Sequence, residues 1–321
     1  MRSTPGEGGR GPWCSMHVYY HTNQDRLLVE WAADLVESLL RERMIVRAFF
    51  LRYWLAGPHV RLRMLARDEG LAEGVTTAAR DSAVRYLADH PSRSGLSNEE
   101  YEQASKFLGP LEGQGAGILA PNNSVTFERY EPEYGKYGGP QGVQIAEEVF
   151  DASTRSAFML IPRLESRDGL RLGTGLAMML IGMLRFDLAQ NDLPETLAAY
   201  SRLWRPYAPA SLVAAWEGHF TAHQQNFERV ASAVLEGRAA SQPALAIWDQ
   251  ALAKSCRAIL SPDADVLQRL VPPYEGELPQ RRARSVLFNY LHTNNNRLGV
   301  LPGEEAYLAF AGERTVRGLL G

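Results

Sequence analysis

Cations gather in RYWLAGPHVRLRM, residues 52–64. Side chains two apart in a strand share a face, so His59, Arg61 and Arg63 point one way and Val60, Leu62 and Met64 the other. The apolar side calls for a core. The other side aligns two guanidiniums and an imidazole, a set that suits a carboxylate or a phosphate. The same alternation also describes the solvent face of an edge strand, with its Arg and His in water.

A second group is RYEPEYGKYGGP, residues 129–140. Gly138 and Gly139 give the backbone freedom just ahead of a helix N-terminus, where free N–H groups favour anions, and Lys136 lies two residues earlier. A tight structural loop packed by its tyrosines reads equally well. The spacing is not that of a phosphate-binding P-loop, and no GxGxxG occurs. A third group is NYLHTNNNRLGV, residues 289–300. His292 stands near the expected end of a helix. Asn294, Asn295 and Asn296 favour a turn, and Arg297 follows. Such a His and Arg supply a proton donor and an anion clamp, or simply a helix C-cap.

His219 and His223 in EGHFTAHQQ are four apart, which is metal-ligand spacing on a helix. The glutamate of HExxH is replaced by Phe220 and no third ligand is evident, so the pair reads as a polar helix face. No GxSxG elbow or Cys/His pair supports nucleophilic catalysis.

The elements that must position these groups follow from periodicity. Strands are expected over 13–21, 45–53, 59–65 and 124–130, with a Gly57-Pro58 turn joining the second and third as a hairpin. Asp25 is placed to cap a helix running to about Arg43. A further helix is expected over 67–89, and Ser97 with Glu100 forms a capping box. Residues 109–123 and 131–139 read as loop, and Pro140 suits the first turn of a helix. Helices then fill 141–161, 170–190, 194–204, 209–236, 243–260, 279–293 and 303–319. The fold class is α+β, with strands in the N-terminal half packed against a largely helical C-terminal half. Residues 1–12 read as a disordered lead-in and 13–321 as a single domain.

The composition is that of an ordinary globular chain: 321 residues, 45% hydrophobic, 22% charged and a net charge of -3. A near-balance of charge gives no general pull toward nucleic acid or anionic membranes. The apolar run Leu176 to Leu184 is too short to span a bilayer and reads as a buried helix. Cys14 and Cys256 are far apart and outside any metal motif. They read as packing residues in a reducing, cytoplasmic setting.

In their order along the chain, WCSMHVYYH, FFLRYWLAGPHVRLRM, RYEPEYGKYGGPQGVQIAEEVFDASTRSA and LHTNNNRLGV resemble the lantibiotic dehydratase C-terminal domain, also described as the thiopeptide-type bacteriocin biosynthesis domain. The resemblance runs from residue 13 to about 300. It implies a lyase that removes glutamate from glutamylated Ser or Thr of a ribosomally made precursor peptide, leaving dehydroalanine or dehydrobutyrine. A separate tRNA-dependent glutamylating enzyme is then the expected partner, and no cofactor, metal, membrane or direct nucleic-acid contact is needed. The resemblance carries over Arg61 and Arg63 as anion-binding catalytic residues and His292 as general acid. Lys136, His59 and Arg297 are expected to bind substrate. Family members often have arginine where Lys136 stands, so the charge is kept but the bidentate fork is lost. Relatives of this domain instead join two dehydroalanines by an aza-[4+2] cycloaddition to form a thiopeptide pyridine, which is the alternative activity. A non-catalytic precursor-binding scaffold is a third reading.

Overall fold

The computed structural model describes residues 12–112, 117–165, 167–186, 190–271 and 279–321. The chain divides into two compact units, Met1–Glu131 and Pro132–Gly321. The lead-in expected over 1–12 lies outside the described residues except for Pro12, whose carbonyl accepts from the Ala66 N–H at 3.1 Å.

The first unit is a four-stranded sheet backed by helices. Its strands are β1 (Trp13–Tyr19), β2 (Ile45–Tyr53), β3 (His59–Ala66) and β4 (Ser124–Phe127), in the order β2-β3-β1-β4 with every neighbouring pair antiparallel. β1 and β2 therefore run parallel with β3 between them, the split βαβ arrangement of ferredoxin-like folds. The helical crossover runs from α1 (Gln24–Leu27) through a π-turn (Leu28–Ala32) into α2 (Ala33–Arg41). Asn23, not Asp25, caps it: the Asn23 side chain accepts from the Arg26 N–H. Asp25 instead pairs with Arg52 of β2 at 2.5 Å. An Asx residue tolerates the left-handed conformation that this cap requires, and Asn23 has φ 45°. Between β3 and β4 lie α3 (Ala72–Asp89) and α4 (Asn98–Glu112). The capping box at the start of α4 forms as the sequence predicts. The Ser97 N–H donates to Glu100 Oε2 at 2.8 Å and the Glu100 N–H to Ser97 Oγ at 3.2 Å.

The alternation of β3 does what its sequence requires. Val60, Leu62 and Met64 are fully buried, and they lie level with Val18, Met16 and Cys14 of β1 and with Phe50 and Ala48 of β2. Because β3 is central, the edge-strand reading of its cationic face does not hold.

The second unit is helical. After a one-turn helix, α5 (Tyr134–Tyr137), come α6 (Gly139–Leu164), α7 (Asp168–Arg185), α8 (Leu193–Trp204), α9 (Ala210–Leu235), α10 (Pro243–Ile259), α11 (Pro279–Leu298) and α12 (Pro302–Leu320). The apolar run of α7 is buried at the centre of the unit, where it meets α9, α10, α11 and α12. Among the described residues no helix is long and apolar enough to cross a membrane. Pro140 lies in the first turn of α6, as expected from its fixed φ.

The expected end of α11 at about residue 293 is a correction. The helix continues through all three asparagines to Leu298. Tertiary contacts override their weak helix propensity: Asn294 and Asn295 are buried, and Asn294 Oδ1 accepts from Ser153 Oγ of α6 at 2.8 Å.

Candidate functional site

In the first unit, strand register sets the candidate surface. Arg63, Arg61 and His59 of β3 lie level with Ser15, His17 and Tyr19 of β1, and with Phe49, Leu51 and Tyr53 of β2. All these side chains share the face opposite the helices. His59 is 1% exposed and has a partner at each ring nitrogen: Nδ1 faces the Gly57 carbonyl at 2.8 Å, and Arg61 Nε–H donates to Nε2 at 3.1 Å. A carbonyl only accepts, so Nδ1 carries the proton and the ring is neutral. Burial lowers its pKa to about 4, helped by the Arg61 charge and opposed by the Gly57 bond. The Arg61 guanidinium lies 3.6 Å from the centre of the Tyr53 ring. His59 and Tyr53 thus fix Arg61 in place.

Arg63 is held over the Tyr130 ring at 4.4 Å. Tyr130 and Phe49 both meet the Trp13 ring edge to face, at 5.3 and 5.1 Å. His17 stacks on His59 at 5.0 Å. Its pKa falls to about 3, first from burial and then from the charges of Arg61, His59 and Arg63. Ser15, 3% exposed, has a buried Oγ with no hydrogen-bond partner among the described residues. The face therefore combines two permanent cations on aromatic supports, two neutral imidazoles and an unsatisfied hydroxyl. That set can take an anionic or carbonyl-bearing group. His17, Ser15, Tyr53 and Tyr130 are the residues that sequence reading missed. Their common signal is membership of WCSMHVYYH and of the tyrosines flanking each arginine motif.

In the second unit, His292 lies within α11, with its side chain 29% exposed. Its Nδ1 is 2.9 Å from Oε1 of Glu305 on α12. Its ring stacks on Trp204 of α8 at 4.0 Å and 13°. The Glu305 side chain is fully buried, and Tyr200 donates to its Oε2 at 2.6 Å. No sequence motif joins these four residues, which come from three helices.

Lys136 is exposed and paired with Glu133 at 2.5 Å. Its carbonyl accepts from Asn289 Nδ2 of α11 at 3.4 Å, and Tyr137 stacks on Tyr290 at 5.8 Å. The YGG turn and the His292 segment are thus brought together on α11. Tyr290 and His292 themselves point roughly 160° apart around that helix. Gly138 takes φ +79°, and an added Cβ there would strike the Val266 carbonyl, so the turn is a close-packed one. Arg297 is 0% exposed, with Nη1 donating to the Thr293 carbonyl at 3.0 Å and its guanidinium 5.0 Å from the Phe150 ring centre. It belongs to the interior of the bundle. His219 Nδ1 meets the Tyr307 hydroxyl at 2.6 Å, and no metal-holding group of three or more ligands occurs among the described residues.

The model of the lantibiotic biosynthesis dehydratase C-terminal family matches residues 13–316. Among curated protein sequences none matches the chain. Solved structures that share the fold include three with the following likeness. The pyridine synthase TbtD from thiomuracin biosynthesis is 19% identical with a TM-score of 0.73, covering 96% of this chain and 98% of that one. TsrL is 17% identical with a TM-score of 0.63, covering 95% and 94%. The tRNA-dependent lantibiotic dehydratase MibB from Microbispora sp. 107891 is 20% identical with a TM-score of 0.59. The match takes in 99% of this chain but only 29% of that protein.

Proposed function

We infer, from the premise that the chain belongs to the lantibiotic biosynthesis dehydratase C-terminal family, that it is an enzyme of ribosomal-peptide maturation that eliminates glutamate from a glutamylated precursor. In this β-elimination a base takes the Cα proton, the Cα–H electron pair becomes the second bond of Cα=Cβ, and the Cβ–O bond breaks. Its pair leaves on the glutamyl carboxylate, and dehydroalanine or dehydrobutyrine remains. Negative charge develops on the amide carbonyl and on the leaving group, and the glutamyl residue carries a carboxylate of its own. Preorganised cations stabilise such charge without reorganising during the step.

The observation that carries this reading is the sheet face of the first unit, where Arg61 and Arg63 stand on aromatic rings beside two neutral histidines. Arg61 and Arg63 bind the anionic groups, and His292 supplies the proton to the departing carboxylate. Lys136 keeps a point charge on the YGG turn. His59 and Arg297, being buried, hold Arg61 and α11 in place rather than touch the peptide.

Cycloaddition of two dehydroalanines is the second reading. The observation that favours it is the likeness to TbtD, which runs end to end in both chains. Mass spectrometry separates the two readings, using one precursor carrying glutamylated Ser/Thr and another carrying preformed dehydroalanines. Loss of glutamate from the first, abolished by His292→Ala with peptide binding preserved, is the expected result. Cyclisation of the second with no reaction of the first would refute elimination in favour of pyridine formation. A His292→Ala variant with unchanged turnover would remove its acid role. A chain that binds both peptides and changes neither would be a scaffold.

A further inference from the structure

His292 is held on two sides. Trp204 covers one ring face at 4.0 Å between centroids and 13° between planes. Glu305 stands behind Nδ1 at 2.9 Å. The backbone around them is pinned as well: Ser201 of α8 donates to the Ala306 carbonyl of α12 at 2.8 Å, next to Tyr200 and Glu305.

Glu305 is wholly enclosed, and a carboxylate so buried needs a partner at each oxygen. Tyr200 serves one oxygen at 2.6 Å and His292 the other. The first turn of α12 adds the positive end of a helix dipole. Tyr200 is itself fully buried. Burial, and then the Glu305 charge, raise its pKa well above the ordinary value, so its hydroxyl stays protonated and donates. A carboxylate accepts from both neighbours, so the proton on the imidazole has one place to be.

We propose that Glu305 is the positioning residue of His292: its carboxylate holds a proton on Nδ1 in both charge states of the ring, so the proton that the imidazolium gives to the departing carboxylate comes from Nε2 and the ring left behind is the Nδ1–H tautomer. Tyr200 holds Glu305 and Trp204 holds the ring plane. The proposal deepens the elimination reading, on which the role of Nε2 rests. The tautomer itself is independent of that reading.

The arrangement resembles the acid–histidine pairing of hydrolytic triads, in which the acid orients the ring and the far nitrogen does the proton transfer. The positional logic is simple. A free imidazole reorients and samples both tautomers, whereas this one is committed before the peptide arrives.

The test is long-range 1H–15N correlation on the full chain labelled at histidine, at a pH where the rings are neutral. His292 is expected as the Nδ1–H tautomer, with Nε2 at the shift of a bare imine nitrogen. In Glu305→Gln, a near-isosteric change, the two tautomers should mix. Turnover of the glutamylated precursor should fall on the order of 10²-fold in kcat with little change in KM. Tyr200→Phe should give a smaller fall in kcat and keep the tautomer. An Nε2–H tautomer in the unaltered protein overturns the proposal, as does a Glu305→Gln variant with unchanged tautomer and rate. If Glu305→Gln does not fold, the spectrum of the unaltered protein decides alone. A correct tautomer in a chain that eliminates nothing refutes the elimination reading and leaves Glu305 as the group that orients His292.

Discussion

Lowering the pH from 7.5 to 5 should destabilise the sheet of the first unit, because His17 and His59 are buried as neutral rings. Their pKa values fall from the ordinary 6.5 to about 3 and about 4. A depressed histidine pKa means that the unfolded chain binds more protons than the folded one, so stability falls as the pH drops below 6.5. The loss ends once the pH passes the folded values. At pH 5 each ring has cost about 1.5 pH units of differential protonation, or about 2 kcal/mol, and the pair about 4 kcal/mol. That is a large part of the 5–15 kcal/mol typical of a domain. With both unfolded rings protonated and both folded rings neutral, the slope approaches about 2.7 kcal/mol per pH unit. Urea titrations at pH 7.5, 6 and 5, followed by circular dichroism and tryptophan fluorescence, measure it. The double variant His17→Gln, His59→Gln supplies the control, since glutamine can donate to the Gly57 carbonyl and accept from Arg61 but does not titrate. The variant should lose two protons' worth of slope over this range. An unaltered protein equally stable at pH 7.5 and 5, or a double variant with the same slope, would refute the reasoning.

Arg61→Lys keeps the charge but gives up the guanidinium over Tyr53 and the Nε–H bond to His59. Peptide turnover should fall by about 1–2 kcal/mol in transition-state binding, roughly tenfold, with the fold unchanged by circular dichroism. A rate equal to the parent's would show that charge alone suffices. Gly138→Ala places a Cβ against the Val266 carbonyl at a positive φ. It should destabilise the second unit by about 3 kcal/mol or more, read as a fall in its unfolding temperature or as insoluble expression.

Much of the local structure was legible in the sequence. The period-2 alternation of HVRLRM placed Arg61 and Arg63 on one face, since a strand offers only two faces, and the register confirms it. Ser97 and Glu100 announced their capping box because both partners lie within one turn of backbone. The apolar periodicity of the second half marked all seven of its long helices. Each of these signals is local, carried by residues a few positions apart. What the sequence could not give was the identity of distant neighbours. Strand order made β3 central and so buried His59, which a pattern of polar and apolar residues cannot distinguish from an edge. The asparagines after His292 read as a turn because their propensity is weak, yet Ser153, 141 positions away, gives Asn294 its partner inside the bundle. Glu305 and Tyr200 stand 105 positions apart in sequence and 2.6 Å apart in space. Only the packing of α8, α11 and α12 makes them one group with His292, because side-chain chemistry is fixed by residue type whereas its partners and its water are fixed by what the fold brings alongside.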